Sequence, residues 1–292
     1  MRSTSGAVLY FVICLAAIAN PCPAQDKPKS PAEQFQTLLK QYQEASGSGT
    51  VLTDEERLKF IGEVYRLRYR LALKFVELAE KFPKDPIAVN ALMQAVWQVN
   101  STPWPVELVG RDEAAPRALA LLERDHVESE KLGPTCQRLG YGFGREYGNF
   151  LRAVLDRNPH REVRAQACLA LAHFLSGRLQ RLALISQQPE LERVYADLFG
   201  KDYLRELLRM DGEKANREAD GLLERALADF GDVKIPDEGT VGEKARAELF
   251  EMRHLIVGKE APDIEGEDQE GRKFKLSEYR GKVVLLDFWS EY

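Results

Sequence analysis

Apolar residues recur every three or four positions through most of this chain, and the period changes only near its end. Over residues 32–45, Phe35, Leu38, Leu39 and Tyr42 share one face of a predicted helix, which Gly47, Ser48 and Gly49 break. Thr53 and Glu56 then form a capping box for the longest predicted helix. In it Leu58, Ile61, Val64, Leu67, Leu71, Phe75, Leu78 and Phe82 repeat up to Pro83. Asp85 and Pro86 supply an N-cap and a first-turn proline for the next helix, with Val89, Leu92, Val96 and Val99 inward. A loop containing prolines and tryptophan follows at 100–105.

Further helices are predicted over 112–129, 130–139 with a break at Gly133-Pro134, 145–156, 161–178, 191–210, 213–230 and 240–255. In 161–178 the inner stripe is Val163, Ala167, Leu171 and Phe174, with Cys168 beside it. In 213–230 it is Ala219, Leu222, Leu223, Ala226 and Leu227. Thr240 with Glu243 makes a second capping box. Such helix pairs suggest a tetratricopeptide-like or HEAT-like stack, but no fixed period recurs, so the reading is an all-α layer of helices.

After Val257 the period becomes that of strands. Residues 264–266 and 273–276 read as a β-hairpin around the turn 268–271, Ser277 opens a short helical turn, and Gly281 leads into an apolar run. That run, Val283 to Leu286 and Phe288, reads as a short strand buried on both faces. Asp287 interrupts it. A carboxylate there is costly unless it is paired or protonated, so Asp287 points to proton chemistry nearby.

Composition narrows the function classes. The 292 residues are 44% hydrophobic and 30% charged, enough for one to three globular domains. A net charge of -5 with both signs interspersed argues against a nucleic-acid surface. Residues 1–24 read as a signal peptide: Arg2, an apolar run over 6–19, then Asn20-Pro21-Cys22-Pro23-Ala24, with cleavage expected after Ala24. The run is short for a membrane span, and Ile13 and Pro21 ahead of Cys14 and Cys22 disfavour a lipid anchor. The expected location is therefore exported, in the periplasm or cell envelope, with membrane attachment if the signal is left uncleaved. Residues 25–31 read as a linker and 32–255 as the helical domain.

Cleavage leaves Cys136 and Cys168, whose separation fits no metal or redox motif. Packing as small hydrophobes is the favoured reading and a disulfide the other. His126, His160, His173 and His254 have no metal-ligand spacing, and His173 reads as a satisfied core histidine. The glycines at 140, 142, 144 and 148 follow a helical segment and lack Gly-Lys-Ser/Thr, so they read as a helix connection and not a phosphate loop. No Gly-x-Ser-x-Gly elbow occurs. No cofactor and no metal are expected.

The C-terminal pattern resembles a known family. Leu286, Asp287, Phe288, Trp289, Ser290, Glu291 and Tyr292 are similar to the central strand that precedes Cys-x-x-Cys in thioredoxin-fold proteins. Upstream, Gly258, Ala261, Pro262, Ile264, Gly266, Gly271, Phe274, Leu276, Ser277, Tyr279, Arg280, Gly281 and Lys282 resemble the opening of the TlpA/ResA and AhpC/TSA (redoxin) branches. The implied fold is mainly α: an N-terminal multi-helix, helical-repeat-like domain, followed over 256–292 by the first β-hairpin and strand of an incomplete thioredoxin-like α/β domain. The resemblance makes Asp287 a proton relay for the second cysteine, and Trp289 and Tyr292 flanking shields of the redox motif. It implies a thiol-disulfide oxidoreductase acting on exported thiol or disulfide proteins, or on small thiol or peroxide substrates, without a bound cofactor.

The sequence departs from the family in one respect: no catalytic cysteine pair is present, and the pair is expected after Tyr292. The chain as given is therefore expected to be redox-inactive. Since UGA is both a stop and the selenocysteine codon, a selenocysteine read as a stop is one explanation; a sequencing error, a nonsense change and a fragment boundary are others. Downstream DNA with an in-frame x-x-Cys continuation is what the first requires. The alternative from another class is a helical interaction or scaffold module whose terminal strand is vestigial or completed by a partner.

Overall fold

The computed structural model describes residues 28–45, 54–100 and 113–287, apart from positions 237, 257 and 269. The expected signal peptide, the Thr53 cap, the loop after Asn100, Trp289 and Tyr292 lie outside the described residues.

Among the described residues the chain forms eleven α-helices and two short strand pairs. The helices are α1 (Pro31–Ala45), α2 (Asp54–Lys81), α3 (Ile87–Asn100), α4 (Ala114–Asp125), α5 (Gly133–Gly140), α6 (Arg145–Arg157) and α7 (Arg161–Gln187). They continue with α8 (Glu190–Phe199), α9 (Lys201–Leu208), α10 (Gly212–Phe230) and α11 (Val241–His254). The expected mainly helical architecture, followed by a short C-terminal hairpin, is what is seen.

Capping chemistry explains several of these boundaries. The Asp85 carboxylate accepts from the Ile87 N–H at 2.9 Å, starting α3. At α11 both halves of the capping box form: Glu243 N–H donates to Thr240 Oγ1 at 3.2 Å, and Thr240 N–H to Glu243 Oε2 at 2.8 Å.

Four helical expectations are corrected, one being the helix expected to end at Arg178, which runs on to Gln187. Gly133-Pro134 starts α5 and does not break a helix, because a proline in the first turn has no intrahelical donor to lose. The helix predicted over 112–129 is shorter, ending at Asp125, and Glu130–Leu132 form a separate 3-10 turn. The single helix predicted over 191–210 is two, α8 and α9, parted at Gly200, whose φ of 91° no helix contains.

Helix α7 organises the core. Its middle is apolar all round, with Ala167, Cys168, Leu169, Ala170, Leu171 and Ala172 buried in succession, as befits a helix enclosed by neighbours. It packs against α5, α6, α10 and α11, while α2 and α3 pair and α1 and α4 lie against them. One contiguous core runs from Phe35 to Leu249, and a smaller one joins Phe143, Tyr203 and Leu207. Arg253 ties α11 to α10 through Asp220 at 2.8 Å and Glu224 at 2.5 Å. No helix among the described residues is long and apolar enough to cross a membrane.

The first strand pair, β1 (Lys234–Ile235) with β2 (Gly239–Thr240), closes the α10–α11 connection and was not legible in the periodicity. The second, β3 (Glu265–Glu267) with β4 (Lys273–Lys275), is the expected hairpin.

Candidate functional site

The hairpin is set by turn chemistry. The Asp268 carboxylate accepts from the Glu270 and Arg272 N–H groups, each at 2.9 Å, and from Arg272 Nε at 2.8 Å. These bonds, foremost those from Arg272, hold its carboxyl below the ordinary range. Gly266 pairs with Phe274 across the ladder, and a Cβ at Gly266 would sit 3.1 Å from the Phe274 ring, so a larger residue would displace that ring.

The hairpin leads into a 3-10 turn, Leu276–Tyr279, that folds back on its start. Asp263 accepts from both the N–H and the hydroxyl of Ser277 at 2.7 Å, which depresses its carboxyl, and Leu276 N–H donates to Ile264 O at 2.9 Å. Arg280 reaches back to Glu260 at 2.5 Å. Residues 258–282 are thus a locally closed unit held mainly by polar bonds.

Beyond it the expected buried strand is not formed. Residues 283–287 have no ladder partner among the described residues, and Val283 and Leu285 are 104% and 93% exposed. The physical reason is that a strand is made by its neighbours: its backbone groups pair between segments, and among the described residues no second segment pairs with this one. Asp287 is exposed and not enclosed in apolar surroundings.

The two described cysteines are far from any such role. Both are free, so the disulfide reading is not realised, and both are buried in helices, Cys136 in α5 and Cys168 in α7. Burial pushes the Cys136 thiol up to about 12 and the Cys168 thiol up to about 11. Cys168 Sγ donates to the Leu222 carbonyl at 3.3 Å. These are packed, protonated thiols, not nucleophiles.

His173 is a half-buried histidine paired with Glu248 across the α7–α11 contact and tilted against Tyr141, its ring centroid 5.2 Å away. No group of three metal-capable side chains occurs among the described residues. Of the glycine cluster, Gly142 and Gly144 lie in the α5–α6 connection, Gly140 closes α5 and Gly148 lies within α6. Gly140 is pressed against α7, where a Cβ would come within 3.0 Å of the Ala170 backbone.

Comparison with known proteins bears on the C-terminal segment. Residues 257–292 match the model of the AhpC/TSA family. The chain is also similar to the thiol-disulfide oxidoreductase ResA of Geobacillus thermodenitrificans (strain NG80-2), 45% identical over 42 residues, which cover 14% of this chain and 24% of ResA. The chain thus spans about a quarter of the length of that curated relative. No solved structure matches. With its hairpin and 3-10 turn in place, the segment 257–292 belongs with the redoxin, thioredoxin-like proteins of the AhpC/TSA family.

Proposed function

We propose that this chain is the helical domain and the opening of the redoxin domain of an exported thiol-disulfide oxidoreductase. The observation that carries the reading is the similarity of residues 257–292 to the AhpC/TSA family. The ResA likeness supports thiol-disulfide exchange as the chemistry, and the apolar run over 6–19 supports an envelope location. Exchange needs a thiolate at a helix N-terminus and a second cysteine to resolve the mixed disulfide. Residues 1–292 hold no Cys-x-x-Cys, and Cys136 and Cys168 are buried and protonated, so these residues by themselves are redox-inactive. In a protein with the cysteine pair, Asp287 serves as its proton relay and Trp289 and Tyr292 flank it. Its substrates are exported thiol or disulfide proteins, or small thiols or peroxides.

The test is insulin reduction with dithiothreitol. Residues 1–292 are expected to give no turnover above buffer, whereas a chimera continuing from Tyr292 into the remaining part of ResA is expected to be active. A folded but inactive chimera, or turnover by residues 1–292 that survives replacement of Cys136 and Cys168, overturns the reading.

One observation favours a second reading, a helical interaction module. The helices enclose their own core, and the β3–β4 hairpin packs on its 3-10 turn without an extensive contact to them. Stable capture of an envelope protein by residues 28–255 in the absence of the C-terminal segment would support that role.

A further inference from the structure

Three arginines converge on the α5–α6 connection. Arg181 lies over the Phe143 ring at 4.9 Å and donates to the carbonyls of Gly142 at 3.2 Å and Tyr141 at 3.4 Å. Arg178, one turn earlier on α7, lies over Phe174 at 5.2 Å and Tyr203 at 5.8 Å. Arg145, at the start of α6, lies over the same Tyr203 ring at 5.3 Å. Phe143 and Tyr203 are themselves 5.9 Å apart, and the Tyr203 hydroxyl donates to the Phe143 carbonyl at 2.8 Å, which fixes the floor beneath the guanidinium groups.

The charges on this floor do not balance. Arg145 pairs with Glu206 at 2.8 Å, and Glu146 is the other carboxylate near Tyr203. Neither Arg178 nor Arg181 has a carboxylate within ion-pair distance among the described residues. The Nε of Arg178 is buried without a hydrogen-bond partner. Like charges one turn apart on a helix repel, and a guanidinium drawn partly out of water is costly unless paired. Aromatic faces and carbonyl oxygens offset part of that cost, yet they supply no full counter-charge to either guanidinium.

We propose that Arg178 and Arg181, with Arg145 at the rim, bind a small oxyanion, a phosphate or a carboxylate group with at least two oxygens to meet the guanidinium edges. Forked donors that accept paired oxygens are what arginine supplies and lysine does not. The connection contributes its Tyr141 and Gly142 carbonyls, which orient Arg181, so the anion is held by side chains and not by a glycine-rich phosphate loop. This site does not depend on the redoxin reading.

The test is titration calorimetry on the whole chain with inorganic phosphate and, separately, acetate and succinate, against sodium chloride of equal ionic strength. Saturable binding of phosphate or of a carboxylate that chloride does not reproduce is expected, and which probe binds names the source. The Arg178→Gln/Arg181→Gln variant is expected to weaken that binding at least tenfold. Arg178→Lys, which keeps the charge and guards against misfolding of the double variant, is expected to weaken it several-fold. No binding by any probe, or equal binding by Arg178→Lys and the unaltered chain, overturns the proposal.

Discussion

The protonated state of the two helix cysteines can be tested through their reactivity. At pH 8 a thiol of pKa 9.0 is about one-tenth thiolate, whereas thiols at about 12 and about 11 are about 10⁻⁴ and 10⁻³ ionised. Ionisation alone therefore slows Cys136 about 1000-fold and Cys168 about 100-fold, and both side chains are also fully enclosed, at 0% exposure. The assay is Ellman's reagent on residues 25–292, which contain these two cysteines and no others. Less than a tenth of one thiol is expected to react in the native protein over minutes, and two thiols at once in guanidinium chloride. A full equivalent reacting within seconds under native conditions would refute the geometry and reopen a redox role for one of them.

Other outcomes follow from the same structure. Because both thiols are raised by burial, their contribution is fully present below pH 9 and is lost as pH rises towards 11 and 12. It falls by roughly 1.4 kcal/mol per pH unit per thiol, and Cys136→Ala/Cys168→Ala should flatten the alkaline side of a urea-stability profile. Gly140→Ala should cost about 1–3 kcal/mol in chemical denaturation, because the added methyl meets the Ala170 backbone, which has no rotamer to change. Thr240→Ala removes one half of the α11 capping box and should cost about 1 kcal/mol, with Thr240→Ser restoring most of it. Leu285→Lys, at a side chain 93% exposed, should leave the melting temperature unchanged and lower light scattering of the 292-residue protein; unchanged scattering would show that the apolar run does not drive association.

What the sequence made legible was local. The Thr240-Glu243 box, the Asp85 cap and the α7 stripe each rest on neighbours a few positions away, so residue order determines them. The division at Gly200 was missed because glycine within a periodic segment leaves the pattern of apolar residues intact while changing the backbone direction. Helix α7 extends nine residues past the expected end at Arg178, since its last turns pack with α8 and α9, a contact invisible to one-dimensional periodicity. Of the candidate site, the hairpin and its turn were readable from Asp268 to Gly271, and Asp287 was recognisable from its motif. The surroundings of Asp287 were not readable, because burial there depends on segments other than its own. The arginine and aromatic cluster was equally hidden: Phe143, Arg181 and Tyr203 come from three separate segments of the chain.

The two parts of the chain are stabilised by opposite means. The helices are held by a continuous apolar core, whereas residues 258–282 are closed by Asp263, Asp268, Arg272 and Arg280 with little buried carbon. Polar bonds of this kind can fix a turn, since donor and acceptor are close in sequence. They cannot hold the next segment as a strand, where Val283 and Leu285 each stand to gain about 1.5–3 kcal/mol only when other strands or helices cover them. The same covering would withdraw Asp287 from water and require a partner for its carboxylate. In the proposed oxidoreductase, strand formation and the burial of Asp287 are therefore one event, controlled by completion of the redoxin sheet and not by the helical body.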